Sequence, residues 1–358
     1  MSESSAKNQP TRTELSDYGE FGLIQHLTKN VELQHGFTLR GIGDDAAVID
    51  AAGKLQVVTT DLLLEGIHFD LAYTPLQHLG YKAVVVNLSD VLAMGAEARQ
   101  ITVSIGVSSR FSVEALEQLY EGIHAACRRY KVDLVGGDTT SSKQGLVISV
   151  TAIGEAAEAD LVYRDGAKEG DLIAVTGDLG AAFLGLQVLE REKSVWVEHP
   201  DVQPELKQHA YPIGRQLKPE LRLETWQAIR DAGLRPTAMI DVSDGLSSDL
   251  LHLCDQSGTG ALISEEQVPV EQSCYELALT FNMDPINAAL NGGEDYELLF
   301  TLPASDHEKL AAIPDVSIIG VMTASAEGVK MLTKGGNRHE LVAGGWNHLR
   351  PQNAPSAD

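Results

Sequence analysis

Gly41-Ile42-Gly43-Asp44-Asp45-Ala46-Ala47 opens like a dinucleotide-binding turn and then departs from one. Two aspartates stand where a third glycine should follow, and carboxylates beside a pyrophosphate repel it. A GxxxxGK[ST] loop is absent as well. Other aspartates follow apolar runs, beside Gly, Ser or Thr: Asp61 after Val57-Val58-Thr59-Thr60, Asp138 after Val135-Gly136-Gly137, and both acids of Asp241-Val242-Ser243-Asp244-Gly245. Each reads as a residue at a strand exit, since aspartate is a poor strand former and glycine permits tight turns or close ligand approach. Asp90 differs, lying on a predicted helix that shares a face with Asn87.

Taken singly, any of these acids reads as a turn residue or a helix cap, as Asp244 does before Leu246-Ser247-Ser248-Asp249. Taken together they mean something else. Two carboxylates ~4 Å apart repel by about 4 kcal/mol at an effective dielectric near 20, so convergence requires cations. Oxygen ligands without His or Cys select hard ions, Mg²⁺ or Mn²⁺ in octahedral sites and Ca²⁺ in looser ones. An acidic cage of that kind holds a polyphosphate without a P-loop.

Outward from these motifs, the first half reads as short strands over residues 37–40, 46–49, 56–60, 101–107, 132–135 and 146–153. Helices are expected over 20–26, over 79–94 despite the β-branched Val84-Val85-Val86, and after Ser112, a cap for apolar positions at helical spacing. Tyr120 falls on that apolar stripe, a core position by periodicity alone. The charged, small-residue segment Glu155-Ala156-Ala157-Glu158-Ala159-Asp160 marks a domain boundary. Beyond it a strand over 172–175, a helix over 179–190 and a helix from Pro219 to Gly233 begin a run of alternating elements. The expected layout is a disordered start (1–15), domains over 16–155 and 156–350, and a disordered tail (351–358), with α+β or α/β architecture.

Composition excludes other classes. The 358 residues are 43% hydrophobic and 22% charged, an ordinary globular balance for two domains. With 27 basic and 51 acidic residues the net charge is −24, which repels nucleic acid and anionic lipid. No apolar run approaches the ~20 residues of a membrane span, and the polar N-terminus lacks a secretory core, so the expected location is cytoplasmic. Cys127, Cys254 and Cys274 are far apart and read as reduced, buried thiols.

The motifs quoted above, with Glu65-Gly66-Ile67-His68-Phe69, Asn87-Leu88-Ser89-Asp90, Arg164-Asp165-Gly166-Ala167 and Gly292-Gly293-Glu294-Asp295-Tyr296-Glu297, occur in an order that resembles the thiamine-monophosphate kinase family. The resemblance implies the two-domain fold of aminoimidazole ribonucleotide synthetase, with an N-terminal domain that binds ATP and metal and forms a homodimer, and a C-terminal α/β domain. It implies phosphorylation of thiamine monophosphate by ATP, assisted by several Mg²⁺ ions that Mn²⁺ can replace. Asp44, Thr59, Thr60, Asp61, Asp90, Asp138, Asp241 and Asp244 resemble the family's metal ligands. Tyr120, Gly137, Asp138, Arg164 and Ser243 resemble its ATP contacts, and His68, Glu294 and Trp346 its substrate contacts.

Two rival readings remain at this level. An aminoimidazole ribonucleotide synthetase-type ligase shares the implied fold, and a non-catalytic divalent-cation binder shares the acids. Against the latter, Gly136-Gly137-Asp138 and Arg164 are features a simple cation buffer does not need.

Overall fold

The computed structural model describes Thr13 and residues 26–40, 48, 49, 51 and 55–344. It divides into two compact units. The first comprises residues 1–52, 60–84 and 99–153, and the second residues 53–59, 85–98 and 154–358. The second unit thus takes in two short pieces from the first half of the sequence, which no single linear boundary expresses. The short helix expected over 20–26, and the ends expected to be disordered, lie outside the described residues apart from Thr13 and His26.

The first unit is organised on a four-stranded sheet of order β3-β6-β4-β5. Its strands are β3 (Leu55–Leu64), β4 (Glu97–Val107), β5 (Asp133–Ser141) and β6 (Val147–Ala156). A small ribbon of β1 (Thr38–Arg40) and β2 (Val48–Ile49) precedes it. Buried and half-exposed residues alternate along all of β6, so the sheet packs one face and leaves the other open. Both β3 and β5 extend past the expected exits, which puts Asp61 and Asp138 inside strands. The reason is the ladder: β6 and β4 supply backbone partners, and pairing outweighs the weak strand preference of a single aspartate.

Helix α1 (Leu76–Ala93) forms in spite of its three consecutive valines because it is buried nearly all round; Val84 and Val85 are 0% exposed. Helix α2 (Val113–Tyr130) starts where expected, with the Ser112 hydroxyl accepting the Ala115 N–H at 3.3 Å. The two helices meet at a reciprocal pair of glycines. A Cβ on Gly80 would lie 1.9 Å from the Leu119 carbonyl oxygen, and one on Gly122 would lie 1.9 Å from that of Gln77.

The second unit carries a seven-stranded sheet of order β13-β12-β9-β11-β7-β10-β8. Here β7 is Leu172–Thr176, β8 Ala238–Val242, β9 Thr259–Ser264, β10 Glu297–Leu302, β11 Val316–Ala324, β12 Val329–Leu332 and β13 Arg338–Glu340. Its pairings are antiparallel except for β12 on β9, so this half is α+β rather than a parallel α/β sheet. Around it lie α3 (Ala181–Glu198), α4 (Ala210–Leu217), α5 (Leu223–Asp231), α6 (Leu246–Ser257), α7 (Gln272–Thr280), α8 (Pro285–Asn291) and the single turn α9 (His307–Leu310). Ile173, Val175, Ile240, Leu250, Ile263 and Leu299 form the centre of its core. The helix expected from Pro219 begins instead at Leu223, because α4 ends at Leu217, two residues before the proline. Gly233, in the left-handed region at φ +71°, follows α5 as expected. All three cysteines are buried free thiols.

The glycine crossing yields a direct test. Gly122→Ala should destabilise the protein by about 1–3 kcal/mol, the usual cost of overpacking, because its methyl meets backbone rather than a side chain that can swing away. Urea denaturation that returns the wild-type midpoint would show that the helices do not approach this closely.

Candidate active site

The loop after β8 is shaped by an acid that motif reading passed over. Asp249, in the first turn of α6 and 2% exposed, turns one carboxylate oxygen toward three backbone donors. It accepts the N–H groups of Ser243, Asp244 and Gly245 at 3.1, 3.2 and 3.2 Å. Asp244 is therefore not the helix cap; Gly245, at φ +113°, occupies that position. Burial, followed by the charges of Asp241 and Asp244, pushes the Asp249 carboxyl up to about 8.

Asp241, the last but one residue of β8, is 2% exposed and accepts a hydrogen bond of 2.7 Å from the Ser89 hydroxyl. The next residue of the same helix, Asp90, accepts one of 2.8 Å from the Thr59 hydroxyl. Burial raises the Asp90 carboxyl, while the Thr59 hydrogen bond and the charge of Arg164 act against that rise. Thr59, Asp90, Arg164, Asp241, Ser243 and Asp244 all belong to the second unit, so the structure brings these expected site residues into one compact body. Arg164 is exposed, and its carbonyl accepts the Ser257 hydroxyl at 2.9 Å.

Thr60, Asp61, His68, Tyr120, Gly137 and Asp138 lie in the first unit, and Glu294 in the second. Thr60 faces away from Thr59 and Asp61, as strand alternation requires, and its hydroxyl donates to the Val150 carbonyl at 3.0 Å. Asp61 and Asp138 stand on the two edge strands of the four-stranded sheet, with β6 and β4 between them. Gly137 and Asp138 are exposed, and a Cβ on Gly137 would lie 1.8 Å from the Val103 carbonyl oxygen, so the strand needs glycine there. Tyr120 keeps the core position its periodicity gives: it is 7% exposed, with its ring edge-on to His124 at 6.0 Å. His68 accepts the Leu64 N–H on Nδ1 at 3.0 Å, which leaves the proton of the neutral ring on Nε2. Asp44 and Trp346 lie outside the described residues.

The donor set suits a hard cation in kind, being carboxylate and hydroxyl oxygens. Among the described residues, however, no three His, Cys, Asp or Glu side chains are grouped closely enough to hold a metal ion.

Glu294 sits on a loop that is strained and tightly held. Glu294 and Tyr296 have φ of +66° and +52°, conformations costing about 1–3 kcal/mol each for residues with a side chain. Their N–H groups donate to the Ser243 and Val242 carbonyls, both at 2.8 Å, which ties this loop to the one after β8. Between them, Asp295 accepts the N–H groups of Gly180 and Ala182 at 2.6 and 3.3 Å. Burial pushes its carboxyl up to about 7.

Glu297, the first residue of β10, is 0% exposed and accepts Arg215 at 2.8 Å, the Thr176 hydroxyl at 2.6 Å, and Arg222. Burial raises its carboxyl. Burial alone would lower the Arg215 guanidinium, but Glu297, Asp295 and Asp178 hold it above its ordinary value. Sequence reading missed this network because its basic members stand 75 and 82 positions before Glu297. The one available signal was an acid opening an otherwise apolar strand, Glu297-Leu298-Leu299-Phe300.

The N-terminal domain of AIR synthase related proteins matches residues 43–156, and the C-terminal domain matches residues 168–332. A thiamine-monophosphate kinase of Buchnera aphidicola subsp. Schizaphis graminum is 35% identical over 342 residues, covering 93% of this chain and 99% of that relative. The thiamine-monophosphate kinase of Aquifex aeolicus is 35% identical over 335 residues, covering 94% and 99%. A solved structure, AaThiL complexed with AMPPCP and TMP, matches with a TM-score of 0.72 at 33% identity, covering 95% of this chain and 100% of that one.

Glu297 is the test of the buried network. Glu297→Gln keeps the shape but leaves two guanidinium groups facing a neutral amide, and should cost about 3–5 kcal/mol. The fall in denaturation midpoint in urea measures it; a loss below about 1 kcal/mol would mean the arginines are satisfied without Glu297.

Proposed function

This chain belongs to the thiamine-monophosphate kinase family, and we propose that it transfers the γ-phosphoryl group of ATP to thiamine monophosphate, giving thiamine diphosphate and ADP. The observation that carries this reading is similarity along the whole chain. Relatives bearing that name cover 93 and 94% of it, and the family's acidic motifs recur in order. A relative whose solved complex holds both AMPPCP, a non-hydrolysable ATP analogue, and TMP supports the two-substrate reading. A reaction that consumes ATP suits the cytoplasm, the location proposed for it.

Asp90, Asp241, Asp244 and Thr59, together with Asp61, Thr60, Asp138 and Asp44, are the residues proposed to hold Mg²⁺, which Mn²⁺ can replace. Such ions supply neutralisation of phosphate charge. The hydrogen bonds from Ser89 and Thr59 support this assignment, because they fix the orientation of the Asp241 and Asp90 carboxylates. Arg164, Ser243, Gly137 and Tyr120 are proposed for ATP. The exposed guanidinium of Arg164 suits bidentate contact with phosphate oxygens. His68, with its proton on Nε2, offers a donor to the acceptor phosphate, and Glu294 a carboxylate to the cationic end of thiamine. Trp346 is proposed to stack on the acceptor's rings. The acceptor oxygen belongs to a phosphate already ionised near neutral pH, so no general base is required. Positioning and charge neutralisation suffice for direct in-line transfer.

A homodimer completes the proposal. The open face of the four-stranded sheet exposes Val58 and Leu62, 62 and 51% accessible, on an edge strand. An apolar edge left open in this way invites pairing. Sedimentation should give a dimer for the wild type and a folded monomer for Leu62→Glu; a wild-type monomer would remove the dimer from the proposal.

Product chromatography tests the reaction. With ATP and Mg²⁺, the protein should make thiamine diphosphate from thiamine monophosphate and little or no monophosphate from thiamine. Activity should vanish with EDTA and return with Mg²⁺ or Mn²⁺. Equal kcat/KM for the two acceptors, or full activity in EDTA, would overturn it.

A further inference from the structure

The carboxylate of Glu294 is held by a residue of α4. Gln216, 5% exposed, donates its side-chain amide to Glu294 Oε2 at 2.6 Å. Its neighbour on the same helix, Arg215, holds the backbone of the same loop. One Arg215 nitrogen donates to the Asp295 carbonyl at 3.1 Å and to Glu297 at 2.8 Å. The other donates to Asp178 at 3.1 Å and to the Tyr211 hydroxyl at 3.0 Å.

These contacts do different things to one loop. Glu294 and Tyr296 hold left-handed backbone conformations that relax unless the surroundings fix them. Arg215 fixes the peptide between them from one side, while the Asp295 side chain fixes it from the other through the N–H groups of Gly180 and Ala182. Gln216 then selects the direction of the Glu294 carboxylate. An amide donor is suited to that role, because it orients the carboxylate while leaving its negative charge unneutralised.

We infer that Gln216 and Arg215 are positioning residues for acceptor recognition, fixing Glu294 so that its charge meets the acceptor. This rests on the reading of Glu294 as an acceptor contact. Gln216 acts on the Glu294 carboxylate rather than on the Glu294 N–H that donates to Ser243, so its removal should act mainly on the acceptor.

The test is steady-state kinetics on the full chain with thiamine monophosphate and ATP. Gln216→Leu, which keeps the side-chain bulk and loses the donor, should raise the KM for thiamine monophosphate roughly tenfold, the usual scale for a hydrogen bond to a charged group. Its KM for ATP should stay within about twofold. Arg215→Lys keeps the charge but loses the planar fork, and should act in the same direction. If that variant melts before assay temperature, Gln216→Leu carries the test alone. In a Glu294→Ala background, Gln216→Leu should add less than about a twofold change, since its partner is gone. Multiplying effects in the double variant, or an equal rise in both KM values, would overturn the inference. So would an unchanged Gln216→Leu beside an impaired Glu294→Ala. An unchanged KM in Glu294→Ala would remove both the inference and the reading beneath it.

Discussion

A carboxylate with no access to water begins β10, an interior strand of the second unit's sheet, and much of that unit is arranged to tolerate it. An unpaired charge in such a place is untenable, so Glu297 demands partners with good geometry. It draws in Arg215 from α4, Arg222 just before α5 and Thr176 from the end of β7. Those commitments dictate more structure. Gly177 must be glycine because a Cβ there would lie 2.4 Å from Glu297 Oε1. Arg215, once fixed, reaches Asp178, Tyr211 and the Asp295 carbonyl, so one ion pair organises the end of β7, helix α4 and the Glu294 loop together.

The large negative charge of the chain thereby separates into two populations. Asp133, Asp249, Asp295 and Glu297 are buried, and backbone N–H groups or arginines donate to them. Asp61, Asp90 and Asp244 are half-buried and Asp138 is exposed, with their carboxylates nearer the surface. Composition registers both populations as the same residues. The acids proposed for a cation are this second group together with the buried Asp241, which accepts the Ser89 hydroxyl.

That distinction also explains what sequence could and could not reveal. The family motifs are local runs, and they carried the two-domain fold and its order of elements. The Ser112 cap was legible because its partner lies three residues away. The exits assigned to Asp61 and Asp138 were not, because strand length depends on what β6 and β4 offer from elsewhere in the chain. Pro219 misled for a similar reason: a proline suited to opening a helix also follows one that has just ended. At the site, Asp90 and Asp241 were recognised but their hydrogen bonds from Thr59 and Ser89 were not, since those pairs are 31 and 152 residues apart. Arg215 and Gln216 carry no motif at all, and they matter through the loop they hold.

One device occurs twice in the second unit. An inner carboxylate gathers backbone N–H groups, and the loop it closes displays its neighbour. Asp249 takes the amides of residues 243–245, and Asp244 is displayed. Asp295 takes those of Gly180 and Ala182, and Glu294 is displayed. The pairing has a physical logic. A loop rich in glycine and aspartate has little side-chain packing to define it, and the backbone entropy of fixing each residue is about 1–2 kcal/mol. Two or three hydrogen bonds to one buried acid supply order of that size without covering the displayed side chain. The inner acid also costs the site nothing in affinity for cations, since donors already occupy it. The apparent excess of acids in Asp244-Gly245-Leu246-Ser247-Ser248-Asp249 and in Glu294-Asp295-Tyr296-Glu297 is therefore a division of labour, in which burial separates the acids that build the loops from those the loops hold out.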